Sequence, residues 1–184
     1  NDWHQYIGVD DAFGWDHQLH NEPGLMLTYE RKYRFPTPTT NGFGADFIPE
    51  AGVTAGNVMT YAQIGGMVRI GRNLQADYGP ARMRPNLSGT TYFTNKDMVD
   101  TFGFYLFAGA QGRAVARNIF LDGNTFRDSR DVDSEPLVAD LTAGISFFWD
   151  DDVKLDVAAI RRTKEFEGQD KAFDYAGINL TIGF

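Results

Sequence analysis

The sequence contains no cysteine, which excludes disulfide bonds and thiolate metal sites. It has no run near the roughly 18 apolar residues that a transmembrane helix needs. Positive charge is also scarce, since 17 Lys and Arg stand against 25 Asp and Glu, giving a net charge of −8. Nucleic-acid surfaces must be basic, so we expect no nucleic acid as a partner. The chain starts at Asn1 without an initiator methionine or a signal peptide, so it looks processed or cropped.

Alternating apolar and polar residues dominate what is present. The last ten residues, YAGINLTIGF, place Ile178, Leu180, Ile182 and Phe184 at every second position, as in a strand with two different faces. The 20 glycines and the 14% aromatic content also suit an all-β protein. Seven such segments are predicted, at residues 25–35, 47–55, 58–70, 102–120, 137–148, 153–162 and 175–184.

A soluble β-sandwich and a transmembrane barrel both give this alternation. Several segments reach about ten residues or more, where strands average about five or six, and charges lie along the middle of the polar face. Together with a tight turn at Asp150–Asp152, these features favour an antiparallel transmembrane β-barrel with lipid outside and a polar lumen. The terminal Phe184 resembles the signal by which the assembly machinery of Gram-negative bacteria recognises outer-membrane proteins. We therefore expect an outer-membrane location.

Strand parity predicts an orientation. If the C-terminus is periplasmic, the segment before Leu25 and the connections at 121–136 and 163–171 are extracellular. The stretch 72–100 then becomes a long periplasmic connection, which either folds against the barrel mouth or hides a strand. Arg31 falls on the lipid-facing row and should extend towards the rim. Seven is an odd number, so we expect residues 1–184 to be the C-terminal part of one barrel domain whose N-terminal strands are missing.

The candidate catalytic residues lie near the N-terminus. All three histidines of the chain are found there, at His4, His17 and His20. Residues 1–7 can form the end of a short extracellular helix closed by glycine, from which His4 projects near the rim. A histidine supplies a base near neutral pH, and Asp10 or Asp11 offers the carboxylate oxygens that Ca²⁺ prefers. The alternative is that these side chains are solvated loop residues.

Other polar groups have plainer interpretations. A zinc site from His17, His20 and Glu22 is conceivable, but its spacing is weakly diagnostic. The acidic residues of 121–136 fail the EF-hand pattern, and those of 164–170 are typical of a solvated loop. The inward charges should pair and fill the lumen rather than form a channel; they are Glu30, Lys32, Arg34, Arg69, Arg113, Arg117, Asp140, Lys154 and Asp156.

Several blocks resemble a known family along the whole chain. They are GWDHQLHNEPGLMLTYERKYR, IPEAGVTAGNVMTYAQIGG, YGPARMRP, GRAVARNIFLDGNTFRDS and RRTKEFEGQD, and they resemble the lipid A 3′-O-deacylases of Gram-negative outer membranes. The resemblance implies a twelve-stranded barrel with about seven strands here, and an active site between the barrel wall and an extracellular helix. It implies His4 as catalytic base and Asp10 as a Ca²⁺ ligand, with Asp11 adjacent and chemically equivalent.

The implied reaction removes the 3′-linked acyloxyacyl group from lipopolysaccharide. His4 takes a proton from water, the hydroxide attacks the ester carbonyl, and Ca²⁺ stabilises the oxyanion. The family's further site residues, an Asn-Asp pair and a hydroxyl residue on early strands, are not in this chain. A non-catalytic outer-membrane barrel, structural or a small pore, is the alternative.

Overall fold

The computed structural model describes residues 19–80, 101–149 and 153–182, and most of the regular structure in them is strand. Besides the strands, these residues contain a 3-10 turn at Leu74–Ala76 and a one-turn helix at Ile119–Asp122. Within the same three ranges, no helix has the length and apolar character needed to cross a membrane. The strands are β1 Met26–Lys32, β2 Phe35–Pro36, β3 Phe43–Gly56, β4 Met59–Arg72, β5 Phe102–Asn118, β6 Leu137–Trp149, β7 Val153–Arg162 and β8 Phe173–Ile182.

All eight strands form one antiparallel sheet. Its order is β1-β3-β4-β5-β6-β7-β8, and the short β2 continues beside β3. Each long strand pairs with the next one along the chain, as expected where adjacent strands run in opposite directions. We call the end where β1 begins and β5 ends the upper end, and the opposite end the lower end. In the described residues the sheet does not close between β1 and β8.

The two faces of the sheet differ in the way the alternation predicts. Outward apolar side chains are left exposed, among them Leu27 at 76%, Ile64 at 71% and Ile178 at 75%. An apolar face of this extent requires a hydrocarbon or protein cover. The described strands form a single sheet, so the second sheet that a β-sandwich would lay over this face is not among them. The inward face buries polar side chains, including Gln63, Arg69, Gln111, Arg113, Asp140, Ser146, Lys154, Asp156 and Arg162.

Aromatic side chains gather on the outward face at the lower end. Phe102 and Trp149 lie with ring centroids 5.7 Å apart, and Phe147 stacks on Trp149 at 6.2 Å. Such clusters mark the level at which a membrane protein meets the bilayer interface. Higher on the outward face, the guanidinium of Arg31 lies 4.9 Å from the centroid of the Tyr33 ring. Arg31 thus occupies the outward row, as the sequence predicted.

The long connection after β4 turns into the lower end of the sheet. Asn73 adopts a left-handed conformation (φ 62°), which asparagine tolerates better than most residues. Its backbone N–H donates to Gly42 O at 2.9 Å, and its side chain donates to Phe102 O at 3.0 Å. Leu74 and Ala76 then pack in one buried cluster with Tyr105, Phe107, Phe148, Ala158 and Ile160. Residues 73–80 therefore fold against the mouth of the sheet, which confirms the first alternative for this part of the connection.

Strand boundaries differ from the sequence prediction by more than two residues at two places. β3 begins at Phe43, four residues before the predicted start. The prediction started later because Asp46 interrupts the apolar pattern. In the structure, Asp46 lies within the strand, faces inward and pairs with Arg69. The predicted strand 25–35 splits into β1 and β2. The predicted helix at 1–7, the turn Asp150–Asp152 and the terminal Phe184 lie outside the described residues.

Candidate functional site

The residues predicted to carry catalysis lie outside the described part of the chain. They are His4 as base and Asp10 and Asp11 as Ca²⁺ ligands, and their roles stay predictions. The structure does describe residues 19–25, through which the segment that carries them joins β1. The contacts of this connecting segment, all at the upper end, are therefore the described geometry nearest in sequence to the predicted site.

Glu22 is the centre of these contacts. Its Oε2 accepts hydrogen bonds from the Asn124 side-chain amide at 3.0 Å, from the Thr125 backbone N–H at 3.0 Å and from the Phe126 N–H at 3.4 Å. Its Oε1 accepts from the Asn57 side-chain amide at 3.4 Å. One carboxylate therefore joins the segment before β1 to the β5–β6 connection and to the β3–β4 turn.

Two asparagines reinforce the same contact. The Asn124 side chain accepts from the His20 N–H and donates to the His20 carbonyl, both at 2.8 Å. The Asn57 side chain donates to Pro23 O at 2.7 Å and accepts from the Leu25 N–H at 2.6 Å. Each side-chain amide donates to one backbone carbonyl and accepts from one backbone N–H, as the backbone of a neighbouring strand would. The incoming segment is thus held at three successive points.

Arg117, at the top of β5, links the two partners of the segment to each other. Its Nη2 donates to Gly123 O at 2.9 Å and to Thr125 Oγ1 at 3.0 Å, and its Nε donates to Asn57 O at 3.3 Å. We call Glu22, Asn57, Arg117, Asn124 and Thr125 the upper junction. Its groups come from four separate parts of the chain, so it forms only when the sheet is assembled.

The electrostatics of the junction favour an ionised Glu22. Partial desolvation raises the pKa of Glu22, but hydrogen bonds from Asn124, Thr125 and Phe126 lower it by more, so the pKa lies below its ordinary value. A carboxylate in this state binds a proton only in acid. It therefore suits a fixed anchor rather than a general acid or base near neutral pH.

Of the three residues of the conceivable zinc site, His17 lies outside the described residues, so the zinc site stays a prediction; His20 and Glu22 are described. His20 is exposed, and the Glu22 oxygens are engaged by amide donors. Across the described ranges, no group of three or more His, Asp, Glu or Cys side chains is placed to hold a metal ion. In the β5–β6 connection, Asp122 accepts from the Asn118 N–H at 2.6 Å, while Asp128, Asp131 and Asp133 are exposed. This agrees with the interpretation of the connection as a polar loop.

The lower end holds a buried ionic cluster around Asp77. The Asp77 carboxylate pairs with Arg69 and Lys154, and it accepts from Tyr105 Oη at 2.8 Å. Arg69 also donates to both oxygens of Asp46, and Lys154 lies 3.3 Å from Asp156. The charged side chains of the cluster have almost no exposed surface. We call Asp46, Arg69, Asp77, Tyr105, Lys154 and Asp156 the Asp77 network.

A second ionic group lies higher on the inward face. Asp140 receives Arg162 at 2.7 Å and Arg113 at 3.2 Å, and Arg162 lies 3.4 Å from Glu165. Between this group and the Asp77 network is a cavity of about 100 Å³, with residues 78–80 of the connection after β4 among its lining. Seven of the nine predicted inward charges therefore pair with other charges, whereas Arg34 and Arg117 donate to backbone carbonyls instead.

Sequence reasoning missed two groups of residues. Asp77 had no signal, because it stands alone in a stretch without periodicity and its partners lie up to 77 positions away. Glu22 was predicted only as a conceivable metal ligand, and Asn57 was not predicted to belong to any site. Both belong to a set of hydrogen bonds between distant parts of the chain, which a single sequence does not display.

Comparison with known proteins places the chain in a family. It is similar to the solved structure of LpxR from Salmonella typhimurium, with 22% identity and a TM-score of 0.76, and the match covers 100% of this chain and 60% of that one. No curated protein matches the chain. The model of the family described as outer membrane protein LpxR matches residues 1–184. The chain therefore belongs to the LpxR family of outer-membrane proteins of Gram-negative bacteria.

Proposed function

We propose that the protein is a lipid A deacylase of the outer membrane, which hydrolyses the ester that holds the 3′-linked acyloxyacyl group. The observation that carries this proposal is the family match over the whole chain, including the segment with His4. The upper junction supports it, because it fixes the segment leading from His4 into β1 against the end of the sheet. In the predicted orientation that end faces the cell exterior, where lipopolysaccharide lies.

In the proposed reaction, His4 takes a proton from water and the resulting hydroxide adds to the ester carbonyl. The bond between the carbonyl carbon and the sugar oxygen then breaks, and the proton held by His4 passes to the departing alkoxide. Asp10 and Asp11 would hold Ca²⁺, for which two adjacent carboxylates are suitable hard donors, and bound Ca²⁺ supplies positive charge for the developing oxyanion. The products are a free acyloxyacyl acid and lipid A with a free 3′-hydroxyl.

The Asp77 network bears on the alternative of a small pore. It places mutually paired, buried charges at the lower end of the inward face, and the Asp140 group pairs a second set above it. A conducting lumen would instead need an open path lined by carbonyls or side chains that can take the place of water around the solute. These contacts favour a filled barrel, which leaves a non-catalytic structural barrel as the second candidate.

The test is the mass of lipid A from cells that express the full-length protein or its His4→Ala variant. The wild type should release the 3′-linked acyloxyacyl group, and His4→Ala should not, although it should reach the outer membrane at the same level. Chelation with EGTA should stop the reaction, and added Ca²⁺ should restore it. Unchanged lipid A mass in wild-type cells would favour the structural barrel, whereas undiminished activity in His4→Ala would remove His4 from its role.

A further inference from the structure

The residues that follow β4 enter the inward face of the sheet instead of extending into solvent. Asn73, Leu74, Ala76 and Asp77 are all buried, although the regular structure of residues 73–80 is limited to one 3-10 turn. A connecting segment ordinarily runs over the protein surface, because a buried one needs partners for its backbone polar groups. We call residues 73–80 the inward strap. Its burial therefore requires partners inside the protein.

Two arginine side chains supply partners for the backbone of the inward strap. Arg69 Nη2 donates to Leu74 O at 3.0 Å and to Asp77 O at 3.3 Å. Arg34 Nη1, from the connection between β1 and β2, donates to the same two oxygens, each at 3.4 Å. Hydrogen bonds from an ionised donor are stronger than those between neutral groups. The buried carbonyls are thus satisfied by charged donors from two separate parts of the sheet.

The inward strap also lies across several strands. The Asp77 carboxylate contacts Arg69 on β4 and Lys154 on β7, and Lys154 donates to Gly79 O at 3.0 Å. β5 and β6 lie between β4 and β7, so the two strands are about 14 Å apart along the sheet, at about 4.8 Å for each spacing. The apolar residues of the strap belong to one buried cluster with inward side chains of β5, β6 and β7. The strap therefore covers the inward face of four adjacent strands at the lower end.

The width of the barrel gives this cover a use. A barrel of about eight strands is filled by the side chains of its own wall, whereas a wider one has an open lumen unless something else fills it. The family resemblance predicts a wall wider than that. We propose that the inward strap is a seal that closes the lower mouth of the lumen, and that Asp77 is the latch that holds it there. This role is separate from the proposed deacylase reaction and does not depend on it.

The first readout is the reactivity of a cysteine placed in the strap. Residues 1–184 contain no cysteine, so Ala76→Cys in the full-length protein is a single reporter at a fully buried position. A water-soluble maleimide should label it slowly in the otherwise unchanged protein. Asp77→Ala should raise the labelling rate about tenfold or more, because losing one partner of a buried ion pair favours the open position by at least that factor. Asp174→Ala, which removes an exposed carboxylate from the outward face, should leave the rate unchanged.

The second readout is the ionic current through the full-length protein in a planar lipid bilayer. The wild type should show no current steps, and Asp77→Ala should show brief openings, because the strap then leaves its place more often. Replacement of residues 74–79 by a glycine-serine sequence of the same length should give a lasting current. Asp140→Ala is the matched control, because it breaks a second buried ion pair on the inward face without removing a contact of the strap. This control should carry no current.

Each half of the proposal has a result that would overturn it. If the glycine-serine replacement folds in the membrane and carries no current, the strap is not the seal, and faster labelling without current steps leads to the same conclusion. If Asp77→Ala leaves the labelling rate of Ala76→Cys unchanged, Asp77 is not the latch. A current in Asp140→Ala without faster labelling would place the barrier elsewhere in the lumen. Should Asp77→Ala fail to fold, Asp77→Asn enters both assays, because it keeps the shape of the side chain and removes its charge.

Discussion

Removal of the Asp77 carboxylate should destabilise the protein mainly through Lys154. In the Asp77→Ala variant, Arg69 keeps both oxygens of Asp46 and the Leu74 carbonyl. Among the described residues, Lys154 keeps Asp156 at 3.3 Å and Gly79 O at 3.0 Å, and Tyr105 Oη loses the carboxylate to which it donates. The charge that suffers most is therefore a fully buried ammonium group.

The magnitude follows from this partial loss. Breaking a buried ion pair by removing one partner costs about 3–5 kcal/mol. Since Lys154 keeps one carboxylate and one carbonyl, we expect the lower value, about 3 kcal/mol. At about 1.4 kcal/mol for each factor of ten, this reduces the folding equilibrium constant roughly a hundredfold.

Two further substitutions test the cause. Asp77→Ala combined with Lys154→Met and Asp156→Asn removes the ammonium together with its remaining carboxylate partner, while the new amide oxygen can still accept from Ser146. Buried ion pairs replaced by uncharged groups are often neutral in stability, so this triple variant should be more stable than Asp77→Ala alone. The measurement is urea unfolding of the full-length protein in phospholipid vesicles, followed by the shift between folded and unfolded bands on a gel. A triple variant less stable than Asp77→Ala would refute the assignment of the cost to the incompletely paired Lys154.

Three further predictions concern other parts of the sheet. Gly71→Ala should destabilise the protein by about 1–3 kcal/mol, because its new methyl group would collide with the Phe104 carbonyl oxygen. Gly112→Ala, with nothing within 4 Å of the new methyl group, should change stability by less than about 0.5 kcal/mol in the same urea assay. A nitroxide spin label attached at Leu19→Cys, in a chain that has no other cysteine, should stay immobile as the pH falls to 4.5, the ordinary pKa of a glutamate. It should become mobile only as the pH passes through the lowered pKa of Glu22, because a lowered pKa stabilises the bound state above the ordinary value, and a Glu22→Gln variant should lack this transition. Trp149 fluorescence, measured after Trp3 and Trp15 are changed to Phe, should be quenched more by lipids brominated near the headgroup than by lipids brominated near the chain end, and the reverse order would contradict its place at the interface.

Alternation along the chain was enough to predict the fold, and particular residues show why. Ile64, Leu137 and Ile178 lie on the outward face because strand geometry sends every second side chain to one side. Family membership confirmed the outer-membrane location. β3 was predicted too short, because Asp46 looks like the end of an apolar pattern until its partner Arg69 is known.

The candidate site was less accessible to sequence reasoning. His4, Asp10 and Asp11 came from the resemblance, and their roles stay predictions. Glu22 was predicted only as a conceivable metal ligand, and the amide donors that contact its two oxygens were not predicted. Asp77 was not named at all. Both depend on partners far along the chain, which lie on strands for Asp77 and in connections between strands for Glu22. The assembled sheet, rather than local sequence, brings such partners together.

The contact between Asp77 and Lys154 has a consequence for assembly of the protein in its membrane. The two residues are 77 positions apart, and Lys154 lies on β7, the second-last strand. Until β7 pairs with the sheet, the Asp77 carboxylate lacks Lys154, one of its two cationic partners, and must remain hydrated. Water should therefore leave the lower mouth only late in folding, so that an unfinished barrel stays wet there and a completed one is sealed.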